Sequence, residues 1–260
     1  MPELPEVETL KCQLEQIVWG ASILKTSILD EKLSCPVDLA GRTVVSMSRI
    51  GKGLYFGLDD GSTIILHLRM TGRLLWQQDG DLLLPHTRFS IILNHGRLDL
   101  IDPRRFATLR IERGHIDFHT DAMDLLGGLP VNIIGAIGRK KKLPIKSFLM
   151  DQRFIAGIGN IYACEILHAA SVSPLRRSCD ISTGEWMLLA DSAKAILNKA
   201  ITCRGTTISD WRDLFGQKGE YQNYLCVYGR KGEPCPNCGA LIERVKLAGR
   251  GTYFCPSCQT

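Results

Sequence analysis

Long hydrophobic runs are missing from this chain of 260 residues. Its longest apolar stretches, such as Thr63–Leu68, fall far short of the roughly 20 residues that cross a bilayer, so a membrane-spanning helix is excluded. A secretory leader would begin basic and then turn apolar. Here the amino terminus carries Glu3, Glu6 and Glu8, and the chain reads as cytosolic. Internal repeats and low-complexity tracts are also lacking. No large excess of one charge is present: the net +5 leans towards an anionic partner without establishing nucleic-acid binding. What is there is ordinary for a globular protein. Hydrophobic residues at 45% and charged residues at 23% argue against disorder, and the length allows a sizeable core and two domains. The ten cysteines are the exception. In a reducing compartment they argue for metal binding by some of them and against a disulfide framework.

The apolar period changes along the chain. After Glu3, the residues Val7, Leu10, Leu14 and Ile17 recur at helical spacing, with Gly20 as a stop. Short apolar segments follow at Thr43–Met47, Gly53–Leu58, Thr63–Leu68, Phe89–Leu93 and Arg97–Ile101. Turn signals such as Asp59-Asp60-Gly61 and Asn94-His95-Gly96 separate them, and together they predict a β-sandwich or barrel. Composition shifts near Asp124, where Gly127-Gly128-Leu129-Pro130 breaks structure and Arg139-Lys140-Lys141-Lys142 follows, a hinge into a helical half. There Ile145–Asp151 is a short helix, Gly157-Ile158-Gly159 forces turns, and Asn160 can cap a helix running through Leu167. Ser182 and Glu185 form a capping box ahead of Trp186, Leu189, Ala193 and Ile196, in a helix that stops before Gly205. Two helices joined through Gly-Ile-Gly resemble a helix-turn-helix, a pairing common in all-α proteins.

The tail carries the strongest local signal. Cys235-Pro-Asn-Cys238 and Cys255-Pro-Ser-Cys258 are two knuckles separated by 16 residues. Facing one another they would supply four thiolates to one closed, tetrahedral zinc site, which holds structure and leaves no position for chemistry. Leu241–Leu247 and Gly251–Phe254, joined around Ala248-Gly249-Arg250, would form a β-hairpin between them. A redox pair is the other reading, and four cysteines at this spacing argue against it. The remaining six (Cys12, Cys35, Cys164, Cys179, Cys203 and Cys226) have no such spacing and read as buried small apolar residues.

The other end of the chain allows covalent chemistry. With Met1 removed, as a small second residue favours, Pro2 becomes a terminal secondary amine. An α-amino group has a pKa of roughly 7.7–8.0, so a sizeable neutral fraction exists near pH 7. Such an amine can attack a sugar carbon and collapse to an iminium, and Glu3 is placed to move the proton this requires. The same residues also suit an ordinary helix start, with Pro5 in the first turn and Glu6 and Glu8 favoured by the dipole.

With both ends read, six sets of motifs stand in order: Pro2-Glu3-Leu4-Pro5-Glu6-Val7-Glu8, Ile50-Gly51-Lys52-Gly53, His67-Leu68-Arg69-Met70-Thr71-Gly72-Arg73, Asp102-Pro103-Arg104-Arg105-Phe106, Asp151-Gln152 with Gly157-Ile158-Gly159-Asn160-Ile161-Tyr162, and Val227-Tyr228-Gly229-Arg230 with Ala248-Gly249-Arg250-Gly251-Thr252. Through them the chain resembles the formamidopyrimidine-DNA glycosylase/endonuclease VIII family over nearly its whole length. The resemblance implies an α+β multidomain fold: an N-terminal β-sandwich flanked by helices over 1–123, a hinge at 124–138, a helix–two-turn–helix domain over 139–225, and a β-hairpin zinc finger over 226–260.

It further implies base-excision repair of duplex DNA bearing oxidised bases or abasic sites, by a cytoplasmic monomer holding one structural zinc on Cys235, Cys238, Cys255 and Cys258. Pro2 would be the nucleophile and Glu3 the general acid, with Glu6 a supporting carboxylate among the DNA-contact residues. Met70, Arg104 and Phe106 would fill the gap left by the everted nucleotide, whose extrusion costs a few kcal/mol. Lys52, His67, Asn160 and Arg250 would grip the flanking phosphates, Lys52 and Arg250 as part of the catalytic set. Residues 207–221 would include a loop that closes over the everted base. Leu4 and the Met70, Arg104 and Phe106 set point to oxidised purines; oxidised pyrimidines are the rival specificity, and a damage-binding protein without catalysis is the rival class. Cys164 and Ala107 depart from the family's usual aspartate and glycine.

Overall fold

In the computed structural model the described residues are 1–33, 38–78, 80–114 and 122–260. They form two compact units, Met1–His119 with Cys203–Gln222, and Thr120–Thr202 with Asn223–Thr260.

The first unit begins with helix α1 (Leu4–Val18), which buries the Val7, Leu10 and Leu14 stripe read from the sequence. Eight strands follow: β1 (Ile23–Ile28), β2 (Val44–Ile50), β3 (Gly53–Leu58), β4 (Ser62–His67), β5 (Arg73–Gln77), β6 (Thr87–Leu93), β7 (Gly96–Ile101) and β8 (Thr108–Arg113). They pair in two antiparallel sheets, ordered β1-β6-β7-β5 and β2-β3-β4-β8. Leu54, Phe56, Ile64 and Leu66 of one sheet share a core with Phe89, Ile91, Leu98 and Leu100 of the other, which is the expected β-sandwich. Strands β1, β5 and β8 were not foreseen, and all three are sheet edges. Edge strands carry charged side chains where inner strands carry apolar ones: Lys25 breaks the apolar run of β1 and Arg110, Glu112 and Arg113 that of β8, whereas β5 offers only the short run Leu74-Leu75-Trp76.

Residues 203–222, grouped by the sequence with the helical part, pack with this sandwich unit. Trp211 and Leu214 enter its core, and Leu214 O accepts the Trp76 N–H at 2.8 Å. Gln13 seals the arrangement: its Nε2 donates to Asp213 at 3.0 Å and its Oε1 accepts the Leu214 N–H at 3.0 Å.

The second unit holds two short parallel strands, β9 (Met123–Asp124) and β10 (Ile155–Ala156), and helices α2 (Val131–Arg139), α3 (Ile145–Leu149), α4 (Asn160–Ala169) and α5 (Thr183–Thr202). Its hairpin is β11 (Glu243–Leu247) and β12 (Arg250–Phe254). The α5 capping box forms as read, with Ser182 N–H on Glu185 at 2.8 Å and Glu185 N–H on Ser182 Oγ at 3.2 Å. Helix α2 lies in the stretch read as a hinge. Gly135 and Gly138 lower helix propensity there, but they face Trp186, and a Cβ on Gly138 would come within 2.6 Å of its ring. Among the described residues no helix is long and apolar enough to cross a membrane.

Candidate active site

In the sandwich unit the strand register gathers the expected residues at one end. Gly53 pairs with His67, and His67 with Thr108. Lys52 and the loops 68–72 and 102–107 therefore share that end. His67 Nδ1 accepts the Arg69 N–H at 3.1 Å. Burial, with the charges of Arg69 and Lys52, pushes its pKa from 6.5 down to about 4. The ring is thus neutral near pH 7, with its proton on Nε2, a donor suited to a phosphate oxygen.

One carboxylate shapes both loops. Asp102, fully buried, accepts Thr71 Oγ1 at 2.5 Å and the backbone N–H groups of Arg104 at 3.2 Å, Phe106 at 2.6 Å and Ala107 at 2.7 Å. Burial raises its pKa, but these bonds outweigh it and leave the carboxyl below the ordinary carboxylate value. Asp102 was part of a motif in the sequence but had no assigned role. Arg69 and Arg105 take left-handed backbone conformations, with φ of 56° and 57°, and the Arg105 side chain is tied to the buried Asp30. On this frame Met70 is 46% and Phe106 44% exposed, with the Arg104 guanidinium carbon 4.9 Å from the Phe106 ring centre. Taken singly, Met70 and Phe106 would have been read as core; the structure puts both in solvent.

A shallow recess in the same unit is lined by Met1, Pro2, Met70, Thr71, Gly72, Arg73, Asp210 and Trp211. It brings Pro2 and Met70 together. Glu3 caps α1, and its N–H donates to Glu6 Oε2 at 2.8 Å. Glu6 Oε1 accepts the Thr206 N–H at 2.7 Å. With 1% exposure, Glu6 supports the N-terminal turn from inside. Gly205 makes the close approach possible: its φ is 80°, and a Cβ there would lie 2.6 Å from Glu6 Oε1.

In the second unit Asn160 is the first residue of α4, and Gly159 holds the capping position. The side chain does not cap the helix, contrary to the sequence reading, because it is already engaged: Oδ1 accepts Lys146 Nζ at 2.5 Å and Nδ2 donates to Gly251 O at 3.1 Å. Lys146, only 1% exposed, also donates to Thr252 Oγ1 at 2.8 Å. This ties α4 to the hairpin whose tip presents the exposed Arg250. The Ala248-Gly249 turn has φ of 47° and 79°, the twist a two-residue hairpin needs. Glu165 is a second tie, accepting the N–H groups of Cys226, Val227 and Tyr228 at 2.8, 3.1 and 2.8 Å. A buried lysine and a buried glutamate have no distinguishing local pattern, so sequence reasoning missed both.

The four knuckle thiols come together, their sulfurs all within 4.8 Å of one another. Cys235 and Cys258 are 3.8 Å apart, and Cys238 and Cys255 3.5 Å. Tetrahedral zinc–thiolate bonds of about 2.3 Å place sulfurs about 3.8 Å apart, so the set fits one structural zinc. His168 Nε2 lies 3.4 Å from Cys235 Sγ, an outer contact of the kind that steadies a ligand. Of the other cysteines, Cys164 and Cys203 are buried as expected, whereas Cys12 is exposed and Cys179 and Cys226 are half-buried. Cys35 lies outside the described residues.

Comparison with known proteins agrees with this geometry. Three family models match in order: the formamidopyrimidine-DNA glycosylase N-terminal domain over residues 1–109, its H2TH domain over 130–211, and the zinc finger found in FPG and IleRS over 232–260. The formamidopyrimidine-DNA glycosylase of Desulforamulus reducens is 38% identical, covering 100% of this chain and 99% of its own. That of Roseiflexus sp. is also 38% identical, covering 100% of both. Among solved structures, Lactococcus lactis Fpg with abasic-site DNA matches with a TM-score of 0.90 at 33% identity, covering 99% of both chains. MutM with DNA containing carbocyclic 8-oxo-G matches with a TM-score of 0.90 at 31% identity, covering 100% of both. The chain belongs to the formamidopyrimidine-DNA glycosylase family.

Proposed function

We propose that the protein is a bifunctional DNA glycosylase/AP lyase that excises oxidised purines, 8-oxoguanine and formamidopyrimidines, from duplex DNA in base-excision repair. The observation that carries this reading is Pro2 in a recess beside Met70, with Glu3 at the start of α1. Loss of Met1 frees the Pro2 nitrogen, whose lone pair attacks the sugar C1′ as the damaged base departs with its bonding electrons, and the proton that the amine nitrogen sheds neutralises the departing base. Glu3 gives a proton to the ring oxygen, and the opened sugar is left as an iminium on Pro2. The iminium acidifies the C2′ proton. Its loss expels the 3′ phosphate, and a second elimination expels the 5′ phosphate, leaving a one-nucleotide gap.

Met70, Arg104 and Phe106 fill the vacated stack; their exposure suits wedges between bases. Lys52, the neutral His67, Asn160 and Arg250 hold flanking phosphates. Zinc keeps the hairpin in shape and takes no part in the chemistry. The enzyme acts as a monomer in the cytoplasm, at the nucleoid.

A borohydride trap tests this. Met1-processed protein is mixed with a duplex bearing 8-oxoguanine opposite cytosine, and a covalent adduct mapping to Pro2 is expected. An adduct only on an oxidised-pyrimidine duplex would transfer the protein to that specificity. Tight abasic-site binding with no adduct on either duplex would make it a binding protein.

A further inference from the structure

Arg73 opens β5 and lines the recess that holds Pro2 and Met70. Its Nε is buried and, among the described residues, has no hydrogen-bond partner. Two other arginines of this unit are matched, Arg97 by Asp99 and Arg105 by Asp30; the buried Arg204 Nε also lacks a hydrogen bond but lies 3.8 Å from an Asp213 oxygen. Among the described residues that line the recess, none is such a match for Arg73. Asp210, on its wall, is exposed and accepts Ser209 Oγ at 3.2 Å. Asp102 is saturated by the two loops. A buried donor without an acceptor is costly, and the side chain that carries this one lines a recess that an acceptor could enter.

We infer that Arg73 is a substrate-gripping residue, whose guanidinium takes an oxygen acceptor of the DNA beside Pro2. This rests on the glycosylase reading above. Two oxygens have the required chemistry: a carbonyl of the everted oxidised base, and a phosphate next to the damaged nucleotide. A guanidinium presents its donors as a planar fork and keeps its charge, so it suits either.

The test compares Arg73→Gln and Arg73→Lys with wild type on two duplexes, one bearing 8-oxoguanine and one an abasic site with no base. Adduct formation, affinity across a salt series and thermal unfolding are measured for each. Arg73→Gln is expected to lose about 10- to 100-fold on at least one duplex, the range for a charged hydrogen bond, with an unchanged melting temperature. A loss confined to the 8-oxoguanine duplex and not restored by lysine assigns the base carbonyl. A loss on both, with a salt slope shallower by about one and restored by lysine, assigns the phosphate. Wild-type behaviour of Arg73→Gln on both duplexes overturns the inference, as does a fall in melting temperature shared by both variants that accounts for their losses. Wild-type protein inert on both duplexes would instead sink the enzyme reading, and this inference with it.

Discussion

The two units face one problem, holding short exposed segments in a fixed shape, and solve it with different chemistry. In the sandwich unit the loops 68–72 and 102–107 hang from strands whose core is already built. Their ends are set by strand pairing, and only their own orphan N–H groups need a partner, which Asp102 supplies. In the helical unit the segment 223–260 has two five-residue strands and a small apolar cluster. A lone hairpin of that size is marginal in water, so it draws on four thiols, the Lys146 ammonium and the Glu165 carboxylate. A loop on a finished core needs one buried acceptor. A hairpin without a core needs a metal.

The largest expected effect follows from that contrast. A structural zinc contributes on the order of 10 kcal/mol of apparent folding free energy, so chelation or Cys255→Ser should cost the hairpin its protease resistance while the sandwich keeps its cooperative melting. A hairpin still protected once zinc content reaches zero would break the comparison.

An intermediate effect distinguishes the two buried charges. Asp102→Ala leaves three backbone donors and a hydroxyl unpaired and should destabilise the sandwich by about 2–4 kcal/mol in urea unfolding. Lys146→Met should weaken abasic-DNA binding by loosening Asn160 but leave the salt slope unchanged, because its ammonium is buried. Arg250→Gln should make that slope shallower by about one. Equal slopes for the two variants would remove Lys146 from its positioning part.

The smallest effect is in pH. His67 is held at about 4 in the folded chain against an ordinary 6.5. Above pH 6.5 it costs nothing. As pH falls from 6.5 to about 4, the unfolded chain takes up a proton that the folded chain refuses, and stability declines. Asp30, held down to about 2 from 3.8 by its hydrogen bond with Arg105, stabilises above 3.8 and loses that contribution as pH falls towards 2. Urea midpoints of His67→Gln measured at pH 7 and pH 5 should differ less than those of wild type, and an unchanged difference would exclude His67 as the source.

By itself the sequence determined whatever depends on local spacing: the apolar stripe of α1, the inner strands, the Ser182–Glu185 box and the two cysteine knuckles. Each is a periodicity or a short motif, and near neighbours in the chain are enough to specify it. Tertiary structure alone decided what depends on distant partners. It made Asp102 the organiser of both loops, placed Met70 and Phe106 in solvent, left the Arg73 Nε without a hydrogen bond among the described residues, and set Glu6 against Thr206, 200 residues away. A carboxylate buried among donors and one on the surface are the same letter in a sequence, and their energies separate only when folding removes the water around one of them.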